Sequence, residues 1–189
     1  MKKPLLTLAA FVATCAAHAE PVTYAIDPSH TFVSYEVNHM NTSTSRGRFD
    51  RKEGSVTIDR QAGTGKIDVT IDTRSIDTGV PALDTEMKGA DFFNAARFAT
   101  ARFVGDKVSF DGDRVSAVSG NLTMLGKTLP VTLKATHFNC YTNPMLKREV
   151  CGGDFETTIQ RSQWGMGWGI NFGIPDTVKL AVQVEAVKQ

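Results

Sequence analysis

The sequence predicts an all-β fold of about eight antiparallel strands in one domain, with one short helix. Two observations carry this. From Val22 to Val187 the chain repeats short runs of alternating apolar and polar residues, broken by Gly, Asp and Asn. Only one segment leaves that period for helical spacing. A period of two puts every second side chain on one face of a strand. A single short helix cannot cover so many apolar faces, so the sheet must close on itself or stack on a partner sheet. About eight strands is the number at which a closed barrel is either filled by side chains or holds one small ligand.

The elements follow in order. Val22 to Asp27 reads as a first strand, ended by Pro28-Ser29. Thr31 to Met40 is a second, with Phe32, Ser34 and Glu36 on one face and Val33, Tyr35 and Val37 on the other. Asn41 to Ser45 reads as a polar loop, and Gly47 to Asp59 as a strand broken at Glu53-Gly54. A turn at Gly63-Thr64-Gly65 leads into Lys66 to Ile76, where Ile67, Val69 and Ile71 share a face, as in an antiparallel hairpin. Val80 to Asn94 breaks the period. Pro81 suits a first helical turn, and Leu83 and Met87 fall at helical spacing. Laid across a barrel mouth, this helix brings Phe92 and Phe93 with it. Strands resume at Thr100 to Asp106, Lys107 to Phe110, Arg114 to Met124, Leu129 to Asn139, Asp154 to Gln160 and Thr177 to Val187. Asp111-Gly112-Asp113 and Leu125-Gly126-Lys127 are tight turns. In the last strand Val178, Leu180, Val182 and Val184 share one face, opposite Lys179, Gln183 and Glu185.

Residues 1–19 read as a cleavable secretory leader: Lys2 and Lys3, a mostly apolar Leu5 to Val12, and Ala17-His18-Ala19 before the cut at Glu20. Lipoprotein processing at Cys15 is the rival, but Thr14 sits where Gly, Ala or Ser is expected. The apolar run is short of the roughly 20 residues of a permanent membrane anchor. Cleavage leaves residues 20–189 as one domain, and 21 basic against 20 acidic residues becomes 19 against 20 once Lys2 and Lys3 are gone. That balance gives no support for nucleic-acid binding or a polybasic membrane patch. Export with this style of leader suggests a bacterial periplasm. There Cys140 and Cys151 read as one disulfide closing a short loop around Asn143-Pro144. The alternative, a redox or metal pair, lacks CxxC spacing and a second pair.

Motifs of catalysis are sparse. His30, His39 and His137 form no HExxH and stand beside no Cys or carboxylate at metal-ligand spacing, so no metal is expected. Isolated strand histidines are usually structural, but His39 ends a strand and can face a ligand head group. No G-x-S-x-G elbow occurs. Gly165-Met-Gly-Trp-Gly169 is not a phosphate loop, since no helix start follows. Those glycines suit a bent or bulged strand against Trp164 and Trp168. Asn41-Thr-Ser43 and Asn121-Leu-Thr123 match glycosylation patterns by chance in a bacterial chain.

Several stretches together resemble the YceI-like, polyisoprenoid-binding family. They are His30-Thr-Phe-Val, Val37-Asn-His-Met40, Ser43 and Arg46-Gly-Arg-Phe49, then Met87-Lys-Gly-Ala-Asp-Phe-Phe93 and the hairpin Gly120 to Val131. Cys140 to Phe155 is similar to a cysteine-bearing subgroup, and Arg161-Ser-Gln-Trp-Gly165 to the family's Arg-Ser-Asp-Phe-Gly. Gln163, Trp164 and Glu86 depart from the pattern; many members carry His at the last. The resemblance implies a closed, lipocalin-like eight-stranded barrel with an elongated apolar tunnel for a long isoprenoid or a related amphiphile, such as an isoprenoid quinone. It supplies no catalytic residues and no cofactor beyond that lipid. The expected function is periplasmic binding, transport or storage of such a lipid, as a monomer or homodimer. The expected wall is Phe32, Tyr35, Phe92, Phe93, Phe103, Trp164 and Trp168, with His39, Arg46 and Arg161 at the head group. Two alternatives stand: a stress-responsive protein with a packed barrel and no cargo, and a hydrolase or isomerase with a titratable pair converging in the cavity.

Overall fold

A computed structural model describes residues 20–189; the leader read in residues 1–19, with Cys15, lies outside the described residues. Eleven strand segments follow in chain order: β1 (Val22–Ile26), β2 (Phe32–His39), β3 (Ser43–Phe49), β4 (Lys52–Asp59), β5 (Thr64–Asp72), β6 (Ile76–Asp77), β7 (Thr100–Asp111), β8 (Arg114–Met124), β9 (Lys127–Thr142), β10 (Glu149–Gln160) and β11 (Thr177–Lys188). The one α-helix among the described residues, α1 (Pro81–Met87), precedes β7.

The sheet closes rather than stacks. Neighbours run β1-β4-β5-β7-β8-β9-β10-β11, and β11 returns to β1. Every pairing is antiparallel. β11 is long enough to serve two partners: Lys179 to Gln183 pair with β2, and Ala186 to Lys188 with β1. β2 then pairs with β3, and β3 with β6. The segments therefore merge into eight long strands in up-and-down order. β1 continues into β2, β3 into β4, and β5 into β6, each across a short break.

Polar side chains build these breaks. At the first, Asp27 accepts hydrogen bonds from the Ser29 backbone N–H and hydroxyl and lies 2.8 Å from His30 Nδ1. At the second, the Asp50 and Arg51 backbone N–H groups donate to the Ser75 carbonyl and hydroxyl. At the third, Asp72 caps the 3₁₀ turn Thr73–Ser75 by accepting from the Arg74 backbone N–H, and it also pairs with the Arg74 and Arg51 guanidiniums. The sequence reading placed one break at Glu53-Gly54 and ran a strand through residue 76. The true breaks lie where strands exchange partners, at 50–51 and 73–75. The expected loop at residues 41–45 is instead a tight turn, with left-handed backbone at Met40 and Asn41, and β3 already pairs from Ser43. The last hairpin also runs further than expected. Cys140 and Cys151 face each other directly across β9 and β10 and are bonded.

The break carboxylates make the fold acid-sensitive. Hydrogen bonds from Ser29 and His30 hold Asp27 down at about 2, and those from Arg74 lower Asp72 further. A carboxylate with a depressed folded-state pKa adds stability above its unfolded value near 4, and that stability is lost as pH falls through the folded value. The urea midpoint is expected to fall steeply from about pH 4 to about pH 2. Asp72→Asn should flatten this acid limb, as read by circular dichroism at stepped pH.

Candidate functional site

The inward faces of the strands enclose two cavities. The outer one, about 390 Å³, lies under α1 and is reached from the barrel mouth between α1, the β2–β3 turn and residues 161–174. The inner one, about 140 Å³, is lined almost wholly by apolar side chains, including Ile58, Phe103, Val118, Phe138 and Val184. Val33, Ile71, Leu122 and Leu180 border both. These four, from β2, β5, β8 and β11, form a neck between the chambers. Where one elongated tunnel was expected, the lumen holds two chambers that share this boundary. The outer volume lies within the roughly 300–1,000 Å³ of ligand pockets.

α1 presents Leu83, Glu86 and Met87 to the outer chamber, since i, i+3 and i+4 share one helix face. Pro81 occupies its first turn, and Asp84 reaches back to accept from the Thr78 backbone N–H and hydroxyl. After the helix the chain folds Phe92 and Phe93 inward. Phe93 meets Phe49 edge-on at 5.2 Å, and Phe92 lies 5.4 Å from Trp168.

Polar groups are few and sit in the outer chamber: Tyr35, His39, Ser45, Glu86 and Arg161. The Tyr35 ring lies across β3 at Gly47, where a Cβ would stand 2.5 Å from Tyr35 Oη. Only glycine admits that packing. Burial, with the Asp84 charge adding, pushes the Tyr35 phenol up to about 12, so it remains a neutral hydroxyl. Arg161 is committed to the protein. It is 5% exposed, and its guanidinium donates to the carbonyls of Pro175 (3.0 Å), Met166 (3.0 Å), Trp168 (2.8 Å) and Ile174 (3.3 Å). Burial lowers its pKa, partly offset by Asp176. This clamp shapes a loop of two 3₁₀ turns, Arg161–Trp164 and Ile170–Phe172, where a bent or bulged strand was expected. The turns end in positive-φ glycines.

The structure brings Tyr35, Phe92, Phe93, Trp168, His39 and Arg161 together at the outer chamber and places Phe103 in the inner one. Three expected site residues lie elsewhere. Phe32 is on the opposite face of β2 from Tyr35, with Lys52 Nζ 4.8 Å over its ring. Arg46 shares the outward face and pairs with Glu36 at 2.8 Å. Trp164, 2% exposed, lines neither chamber; its indole N–H donates to the Leu122 carbonyl and backs the neck. Ser45, Met124 and Met166 also line the outer chamber, and the sequence reading missed them. Ser45 shares its face with Gly47 and Phe49, a signal hidden by reading residues 41–45 as a loop.

Comparisons place this architecture. The YceI-like domain profile matches residues 24–186. Protein YceI of Salmonella newport (strain SL254) is 38% identical over 194 aligned positions, covering 100% of this chain and 100% of the relative. Protein YceI of Salmonella arizonae matches with the same identity and coverage. Among solved structures, BcnA of Burkholderia cenocepacia superposes with a TM-score of 0.71 at 24% identity, covering 85% of this chain and 99% of that one. A polyisoprenoid binding domain from Saccharophagus degradans, implicated in plant cell wall breakdown, gives 0.62 at 16% identity, covering 88% and 98%. At such identities the structural likeness is one of fold.

Proposed function

The chain belongs to the YceI-like family, and from that premise we propose that it binds a long-chain polyisoprenoid or isoprenoid-quinone-like lipid and carries or stores it in the periplasm. One observation carries the reading: two apolar chambers in series behind a mouth whose polar groups are confined to the outer end. A long apolar chain with one polar end has that shape. Each methylene moved from water into such a lumen gains about 0.8 kcal/mol, so one isoprene unit of five carbons gains roughly 3–4 kcal/mol before ordering costs. Methylenes discriminate weakly, so chain identity should be read loosely and the head group more sharply. Tyr35, His39, Ser45 and Glu86 are the groups placed to meet it. The leader, with its small-residue cleavage site, and the Cys140–Cys151 disulfide support export to an oxidising compartment. The Saccharophagus domain supports the ligand class.

Binding, not turnover, is the proposed role. A barrel filled by its own side chains would leave no outer chamber of about 390 Å³. Native mass spectrometry of protein purified without detergent should show a lipid-sized adduct, and quinone analogues should quench Trp168 emission. The same spectrum reads monomer or homodimer. Protein free of adduct whose emission ignores such analogues would defeat the carrier reading.

A further inference from the structure

We propose that the open end of the barrel docks on a lipid bilayer, with Met40, Val80, Leu83, Trp168 and Phe172 inserted among the acyl chains. The proposal rests on the carrier reading, and it adds the surface from which cargo passes. Of the exposed large apolar residues among those described, these five fall at the mouth. They come from three separate elements. Met40 tips the β2–β3 turn, Val80 and Leu83 begin the helical segment, and Trp168 and Phe172 stand on the loop held by Arg161. They converge: Leu83 and Trp168 line the outer chamber, and the Met40 sulfur lies 3.1 Å from where a Gly173 Cβ would be.

The exposure is built, not incidental. Phe172 is 70% exposed and Trp168 42% exposed, on a loop whose carbonyls are tied to a buried guanidinium. Met40 holds left-handed backbone (φ 52), an unusual state for a side chain without a local hydrogen bond to offer. A two-residue hairpin turn, which needs left-handed backbone at both central residues, and the guanidinium clamp thus hold these apolar groups at the rim.

A bilayer is the occupant that fits. The rim is continuous with an apolar chamber, so a chain leaving a membrane through it never crosses water. Tryptophan and phenylalanine suit the boundary between head groups and acyl chains. The five residues carry no charge, and residues 20–189 hold 19 basic against 20 acidic groups. Attachment is therefore by insertion rather than by attraction to anionic lipid. The remaining exposed apolar residues, Tyr141, Met145 and Leu146, lie at the far turn beyond the disulfide and adjoin no open chamber.

The test uses the mature protein and phosphatidylcholine vesicles with brominated acyl chains. Trp168 emission should be quenched while buried Trp164 supplies the unquenched remainder. Phe172→Ser should weaken vesicle partition about tenfold, Met145→Ser should not, and 0.5 M salt should change little. Because Phe172 lines neither chamber, Phe172→Ser should still bind a soluble quinone analogue as the parent does. Unquenched emission overturns the proposal, as does partition abolished by salt, or a dimer in solution that Phe172→Ser dissociates, which would make a second copy the occupant. Vesicle binding without any lipid adduct sinks the carrier reading alone; an adduct without vesicle binding sinks the docking alone.

Discussion

Val33→Phe is expected to cap the chain length that the barrel accepts. Val33 borders both chambers with Ile71, Leu122 and Leu180, and it lies on the inward face of β2. A ring added there fills the neck from one side. The adjoining voids can take up much of the strain, so the folding cost should sit at the low end of the roughly 1–3 kcal/mol typical of overpacking. The binding cost is larger and selective. A chain confined to the outer chamber loses about 0.8 kcal/mol for each methylene kept out of the inner one, so two are enough for a tenfold loss. Quinone analogues of increasing tail length, titrated by Trp168 quenching, should show affinity climbing with length in the parent. In the variant it should level off, with the shortest analogue bound equally by both. Parallel length dependence in the two proteins would show that the inner chamber takes no part in binding.

The neck was legible in parts. Val178, Leu180, Val182 and Val184 in β11, and Ile67, Val69 and Ile71 in β5, all face the lumen as their alternation predicts. The strand breaks also left a trace. Tyr24 and Ile26 point inward from even positions, Val33 and Tyr35 from odd ones, while Phe49 and then Val56 and Ile58 reverse that change. A slip in parity marks a bend or a change of partner. Reading alternation strand by strand, without tracking parity between strands, misplaces the breaks. Phe32 fails on parity within one strand, since it takes the face of β2 opposite Tyr35 and the two cannot both line the lumen; Arg46, opposite Glu36, sits on that same outward face. Trp164 and Trp168 lie in a loop with no period, so alternation says nothing about them. Glu86 is visible only as a departure from family likeness, until helix geometry sets it between Leu83 and Met87 over the chamber.

Arg161 is the residue whose role the sequence reading could not separate. A head-group ligand and a buried clamp look alike when the acceptors are main-chain carbonyls, which leave no side-chain signature. Arg161→Met is expected to cost about 2–4 kcal/mol: the charge leaves with the side chain, and a buried carbonyl left without a donor costs about 1–3 kcal/mol, less where water reaches it. Four carbonyls lose their donor together, and the Met166 side of the site is buried. Arg161→Lys should recover only part of this, because an ammonium is a point donor and cannot span carbonyls spread over the fork of a guanidinium. With the loop released, Trp168 should become more mobile and its emission should shift to the red. Affinity should fall for every analogue, charged or neutral, because the wall itself has moved. The two roles therefore separate cleanly. A variant that keeps its urea midpoint yet loses affinity only for charged analogues would return Arg161 to the head group and leave the carbonyl bonds as incidental.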